Sequence, residues 1–185
     1  MPLLEPDDSV LVVVDVQPGF LEAEAEPAVE RMTWLVAIAS RLGIPVVVTE
    51  EEPGRHGATD ARLAERLPAN APVFTKPTFG LAGTPEILDA VGATGRRTVV
   101  VVGCETDVCV AQSAIGLQAA GLDCVVVEDA TFSPGEMHER GLARLASEGI
   151  GRNHAKGVTY EWLRTVEAAH AVLHDPELPS PPFRL

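Results

Sequence analysis

The stretch Val99-Val100-Val101-Val102-Gly103-Cys104-Glu105-Thr106-Asp107-Val108-Cys109-Val110 restricts the fold more than any other part of the chain. An unbroken β-branched run has no polar face to offer water, so it needs cover on both sides of a sheet. Gly103 ends the run and permits a sharp turn. Thr106 or Asp107 is then placed to cap a helix. Cys109 falls near the first turn of that helix, where free N–H groups and the helix dipole favour negative charge. The expectation is a thiol that loses its proton readily and acts as a nucleophile. Such a thiol needs an acid–base partner and an anion-binding site, and both must come from elsewhere in the chain.

Similar apolar runs recur along the sequence. Val10 to Val14 reads as a first strand that ends in Asp15, followed by the turn residues Gln17-Pro18-Gly19-Phe20. Val29, Met32, Val36 and Ala39 then repeat at helical spacing from Pro27 until Gly43. Ile44 to Thr49 reads as a second strand, Glu50 to Asp60 as a loop, and Ala61 to Leu67 as a short helix. Val73 to Lys76 is a brief third strand. Thr84 and Pro85 open a helix through Val91.

Beyond the cysteine helix, which Gly121 closes, Cys124 to Asp129 is a fifth strand. A helix follows from Ser133-Pro134-Gly135-Glu136. A weak sixth strand is placed near Gly157-Val158-Thr159, and Trp162, Val166, Ala169 and Leu173 mark one last helix. The tail 175–185 contains Pro176, Pro179, Pro181 and Pro182, which excludes a helix and fits an extended arm reaching a partner subunit. Strands alternating with helices predict a three-layer α/β/α sandwich around a mainly parallel, Rossmann-like sheet of about six strands. No repeat or linker divides the chain, so one domain over 1–185 is expected. In such sheets ligands bind beyond the carboxyl ends of the strands, at the switch point. Asp15, Lys76 and Cys109 all lie at or just past such ends.

Composition removes other classes. With 14 Lys+Arg against 27 Asp+Glu, the net charge of −13 repels nucleic-acid phosphates. The amino terminus has no basic region followed by an apolar run, and no apolar stretch reaches the roughly 20 residues of a membrane span. Three cysteines, an odd number without metal-like spacing, fit a reduced, cytoplasmic protein.

Val14-Asp15-Val16-Gln17-Pro18-Gly19-Phe20, Lys76-Pro77-Thr78-Phe79 and the Gly103 to Val110 stretch together resemble the isochorismatase-like cysteine hydrolases. The resemblance extends from about Val10 to the last helix. It implies a catalytic triad of Asp15, Lys76 and Cys109, an oxyanion hole from the backbone N–H groups of Glu105 and Cys109, a cis peptide at Cys104–Glu105, and a homo-oligomer acting on a small-molecule substrate. Family members with the cysteine include amidohydrolases, so hydrolysis of a small amide or carbamoyl compound through an acyl-enzyme is expected. The family's nicotinamidases also carry an Asp and two His for a metal after the second strand. Thr49 to Gly57 here has His56 alone, so no metal and no cofactor are expected.

Phe20, Glu50 and Phe79, on segments following strands, are candidate pocket residues. Glu51 and Glu52 read as solvated, and Glu105 as contributing only its backbone. Cys104 and Cys124 read as buried small hydrophobes, Trp34 and Trp162 as packing residues. Two rival functions remain at this point. One is vinyl ether hydrolysis of the isochorismatase type, for which Cys109 is dispensable. The other is a non-enzymatic redox role, with Cys109 an exposed sensing thiol.

Overall fold

The computed structural model describes residues 2–184; Met1 and Leu185, at the two ends of the expected domain and tail, lie outside the described residues. In chain order the elements are β1 (Ser9–Val14), α1 (Glu26–Leu42), β2 (Val46–Glu51), α2 (Pro53–His56), α3 (Ala61–Ala64), β3 (Val73–Lys76), α4 (Pro85–Ala93), β4 (Thr98–Cys104), α5 (Ala111–Ala119), β5 (Asp123–Phe132), α6 (Met137–Ser147), β6 (Gly151–Asn153), α7 (Ala155–Leu163) and α8 (Val166–Leu173). The strands pair in the order β3-β2-β1-β4-β5-β6, all parallel.

The valine runs alternate between two cores. Leu11, Val13, Val100, Val102 and Val125 face α1, α7 and α8, whereas Val10, Val12, Val99, Val101 and Val126 face α4, α5 and α6. This two-sided burial is what the continuous β-branched runs require. α1 lays Val29, Met32, Leu35 and Ile38 on the first face and stops at Gly43, whose φ of 69° suits glycine. The chain reverses direction across the sheet between β1 and β4, so their carboxyl ends flank the switch point.

Two expectations need correction. Gly157-Val158-Thr159 is not strand but the middle of α7, begun by His154, whose ring accepts from the Gly157 N–H at 3.0 Å. The sixth strand is Gly151–Asn153, placed by pairing with β5 rather than by its own weak propensity. The expected last helix is two: Arg164 takes φ 62°, and Thr165 then caps α8 by accepting from the Ala168 N–H. In the tail, Leu178 and Phe183 pack on the apolar surface of their own chain, Phe183 edge-on to Trp34 with ring centroids 5.8 Å apart. Among the described residues no helix is long and apolar enough to cross a membrane.

Gly103 is required by the way β4 meets β1. Its φ is 129°, and a Cβ there would lie 2.0 Å from the Val14 carbonyl oxygen. Gly103→Ala is therefore expected to destabilise the protein by about 3 kcal/mol. Gly92→Ala, on α4 with nothing within 4 Å, should instead stabilise by about 0.5–1 kcal/mol. Urea unfolding of the two variants checks the contrast; equal effects would refute the close-approach explanation.

Candidate active site

Sheet register assembles the site. Val14 pairs with Thr49 on one side and Gly103 on the other, and Glu51 pairs with Lys76. Val47, Thr49 and Glu51 alternate onto the face that carries α4 and α5, and Phe74 and Lys76 do the same on β3. Asp15 is the exception that completes the set. Alternation after Val14 would send it to the opposite face, but its φ of 48° breaks the strand there. Its Oδ1 accepts from Thr49 Oγ1 at 2.9 Å, and its Oδ2 lies 2.6 Å from Lys76 Nζ. Both side chains are fully buried. Lys76 Nζ also donates to the Thr78 carbonyl at 3.0 Å. The approach of Nζ to Oδ2 is a close ion pair without an aligned hydrogen bond, which leaves Oδ2 with acceptor capacity.

Cys109 arrives from β4. After the cis peptide Cys104–Glu105, residues Thr106–Val110 form one π-helical turn that runs into α5. Neither Thr106 nor Asp107 caps the helix as expected. Thr106 Oγ1 instead meets His138 Nδ1 at 2.9 Å, and Asp107 accepts from Ser133 Oγ at 2.6 Å. Gly141 of α6 lets that helix press on the turn, since a Cβ there would be 2.7 Å from the Asp107 nitrogen. Cys109 is 3 % exposed and its Sγ donates to Glu51 Oε2 at 3.6 Å. Asp15, Glu51 and Cys109 bring one carboxylate oxygen each and the sulfur within 4.8 Å of one another. By distance these three could hold a metal ion, but Lys76 already supplies compensating positive charge to Asp15. A cavity of about 470 Å³ opens beside Glu51 and Lys76, walled also by Thr78 and Phe79.

The electrostatics reverse one expectation. Burial pushes the Cys109 thiol well above the ordinary thiol value; the Asp15 charge pushes the same way, and Lys76 opposes both. Placement near a helix start does not outweigh this. Burial likewise raises the Asp15 carboxyl, against the pull of Lys76. Glu105 is raised by burial first, then by the charges of Asp107, Glu51 and Glu22.

The expected pocket residues separate. Phe79 lines the cavity and is half exposed. Phe20 lies in the turn Pro18–Phe20 and stacks on His56, ring centroids 4.4 Å apart. Glu50 is turned away: its Oε1 accepts from the Thr59 N–H and Oγ1, both at 2.7 Å. Glu51, read from sequence as a solvated loop residue, is the one beside the sulfur. Extending β2 by two residues, with its period of two, would have identified it. Gln17 was also missed. Fully buried, it accepts from the Glu51 N–H at 2.7 Å and donates to the Glu51 and Gly57 carbonyls. Cys104 belongs to the core on the other face from Cys109, so the two thiols are poorly placed to pair.

Asp15 carries negative charge against the thiol, so Asp15→Asn removes repulsion while Lys76 stays. The thiolate of that variant should form at lower pH than in the native protein. Thiolate ultraviolet absorbance followed against pH checks this, and a shift to higher pH or none would refute the electrostatic account.

Residues 9–152 match the isochorismatase domain. The isochorismatase domain-containing protein 1 of Danio rerio is 35% identical over 156 residues, covering 80% of this chain. The chain spans 52% of that relative and 52% of its Salmo salar counterpart, about half the length of each. YcaC from Pseudomonas aeruginosa, solved with hexane-2,5-diol and covalent acrylamide, superposes with a TM-score of 0.82 at 27% identity, over 92% of this chain and 90% of that one. The ycaC gene product of Escherichia coli, described as an octameric hydrolase of unknown specificity, gives a TM-score of 0.86 at 24% identity, over 92% and 87%. The parallel sheet with its switch-point cluster and the match across most of the sequence agree: the chain belongs to the isochorismatase family.

Proposed function

We propose that this protein is a cysteine hydrolase of small amide or carbamoyl compounds, with Cys109 as nucleophile, Asp15 as proton carrier and Lys76 as the cation that balances them. The observation that carries the reading is the meeting of Asp15, Lys76 and Cys109 at the β1/β4 switch point, from strand ends far apart in sequence. A buried carboxylate with a raised proton affinity is a better base near neutrality than an exposed one. The thiol starts neutral. Its proton passes to Asp15 as the sulfur bonds to the carbonyl carbon and the π electrons move to oxygen. Collapse of that oxyanion breaks the C–N bond, and Asp15 returns the proton to the leaving nitrogen. Water then attacks the thioester, gives one proton to Asp15, and releases a carboxylic acid as the thiol re-forms.

The oxyanion hole belongs to the same reading. The N–H groups of Val108 and Val110 both bond to the Glu105 carbonyl, and that of Cys109 lies between them in the same turn. With the Glu105 N–H it is assigned to the oxyanion, an interaction worth roughly 3–4 kcal/mol in a transition state. Covalent acrylamide in the P. aeruginosa relative supports an electrophile-accepting site in this family. Phe79 is assigned to the cavity wall and Phe20 to holding the neighbouring loop through His56. The low exposure of Cys109 speaks against an exposed sensing thiol. Self-association is part of the proposal, in line with the E. coli relative described as an octamer.

A panel of small amides, carbamoyl compounds and isochorismate, assayed with native protein and Cys109→Ala, tests the reading. Amide turnover is expected in the native protein and should fall at least about a thousandfold in the variant. Isochorismate turnover that survives Cys109→Ala would overturn the amidohydrolase reading in favour of vinyl ether hydrolysis.

A further inference from the structure

We infer that the Glu51 carboxylate sets the specificity of this site: it takes a hydrogen bond from the N–H of an uncharged or cationic amide held over Cys109, and it turns away substrates that bring a carboxylate to the same place. The inference rests on the reading of Cys109 as the nucleophile.

Position is the first ground. Glu51 Oε2 lies 3.6 Å from Cys109 Sγ and Glu51 walls the cavity. A carbonyl carbon poised for attack sits about 3–3.5 Å from its nucleophile, with the amide nitrogen one bond further on. A carboxylate oxygen this close to the sulfur borders that nitrogen. It is an acceptor, so an N–H completes it and a second carboxylate does not.

Rigidity is the second. Glu51 is the last residue of β2, in register with Lys76, and Gln17 holds its main chain at both the N–H and the carbonyl. The carboxylate is therefore presented from a fixed backbone rather than from a free loop.

The third ground is the field around it. The two cations on the cavity wall already face carboxylates: Lys76 lies 2.6 Å from Asp15, and Arg55 lies 3.6 Å from Glu52. Glu105, at the start of the nucleophile turn, adds a further acidic group that feels Glu51. An incoming carboxylate would meet like charges and no unengaged cation among the described lining residues, whereas an amide or ammonium would be drawn in.

Iodoacetamide and iodoacetate test this directly, because they alkylate a thiol by the same loss of iodide and differ only in amide against carboxylate. The ratio of their rates at Cys109, followed by mass spectrometry and divided by the ratio for free cysteine, is expected to exceed about tenfold in the native protein. Glu51→Gln should bring it close to one, with Cys104 and Cys124 remaining unlabelled as proof of folding; Glu51→Ala, which also removes the carboxylate, replaces it if they react. No labelling of Cys109 by either reagent would overturn the nucleophile reading and the inference with it. Labelling with a ratio that the Glu51 substitution leaves unchanged would overturn the inference alone.

Discussion

The ion pair between Asp15 and Lys76 is the constraint on which the site depends. Taking two charges fully out of water costs several kcal/mol per ion, and the cost is offset only when geometry and extra hydrogen bonds are good. The extra hydrogen bonds are present: Thr49 satisfies the other Asp15 oxygen and the Thr78 carbonyl holds the ammonium. Loss of either partner would leave an uncompensated buried charge, worth about 3–5 kcal/mol. The pair also joins β1, at the middle of the sheet, to β3 at its edge, so it ties the site to the integrity of the whole layer.

Burial first, and the Asp15 charge second, hold the thiol above its ordinary value against the pull of Lys76. A sulfur beside two carboxylates and one cation, shielded from water, keeps its proton. On the mechanism we propose, reactivity comes from a short transfer between neighbours, timed with bond formation, rather than from a standing thiolate. A thiol that keeps its proton is also less open to oxidation.

The sheet and the three strand-end residues were legible because they rest on strong local signals: valine runs, a terminal Asp, a Lys-Pro turn and a glycine before the cysteine. What was hidden depends on partners remote in sequence. Glu51 looked like loop because glutamates disfavour strands, yet pairing with β3 carries β2 two residues further. That extension exchanges the roles of Glu50 and Glu51. The break at Arg164 has no glycine or proline to announce it, and β6 exists only because β5 offers an edge. The thiol's proton affinity was misread for a similar reason. Helix position is visible in sequence; a carboxylate arriving from another strand, and the depth of burial, are not.

Gln17 joins segments that specificity would otherwise vary separately. Its one amide grips the end of β2 and Gly57 beyond α2, while its own backbone belongs to the turn after β1. Neither segment can be recut alone without orphaning a donor or acceptor sealed from solvent. Relatives with new substrate preferences would have to exchange these segments as a single cassette, so chimeras that split them at this amide should misfold locally before they reveal any altered taste.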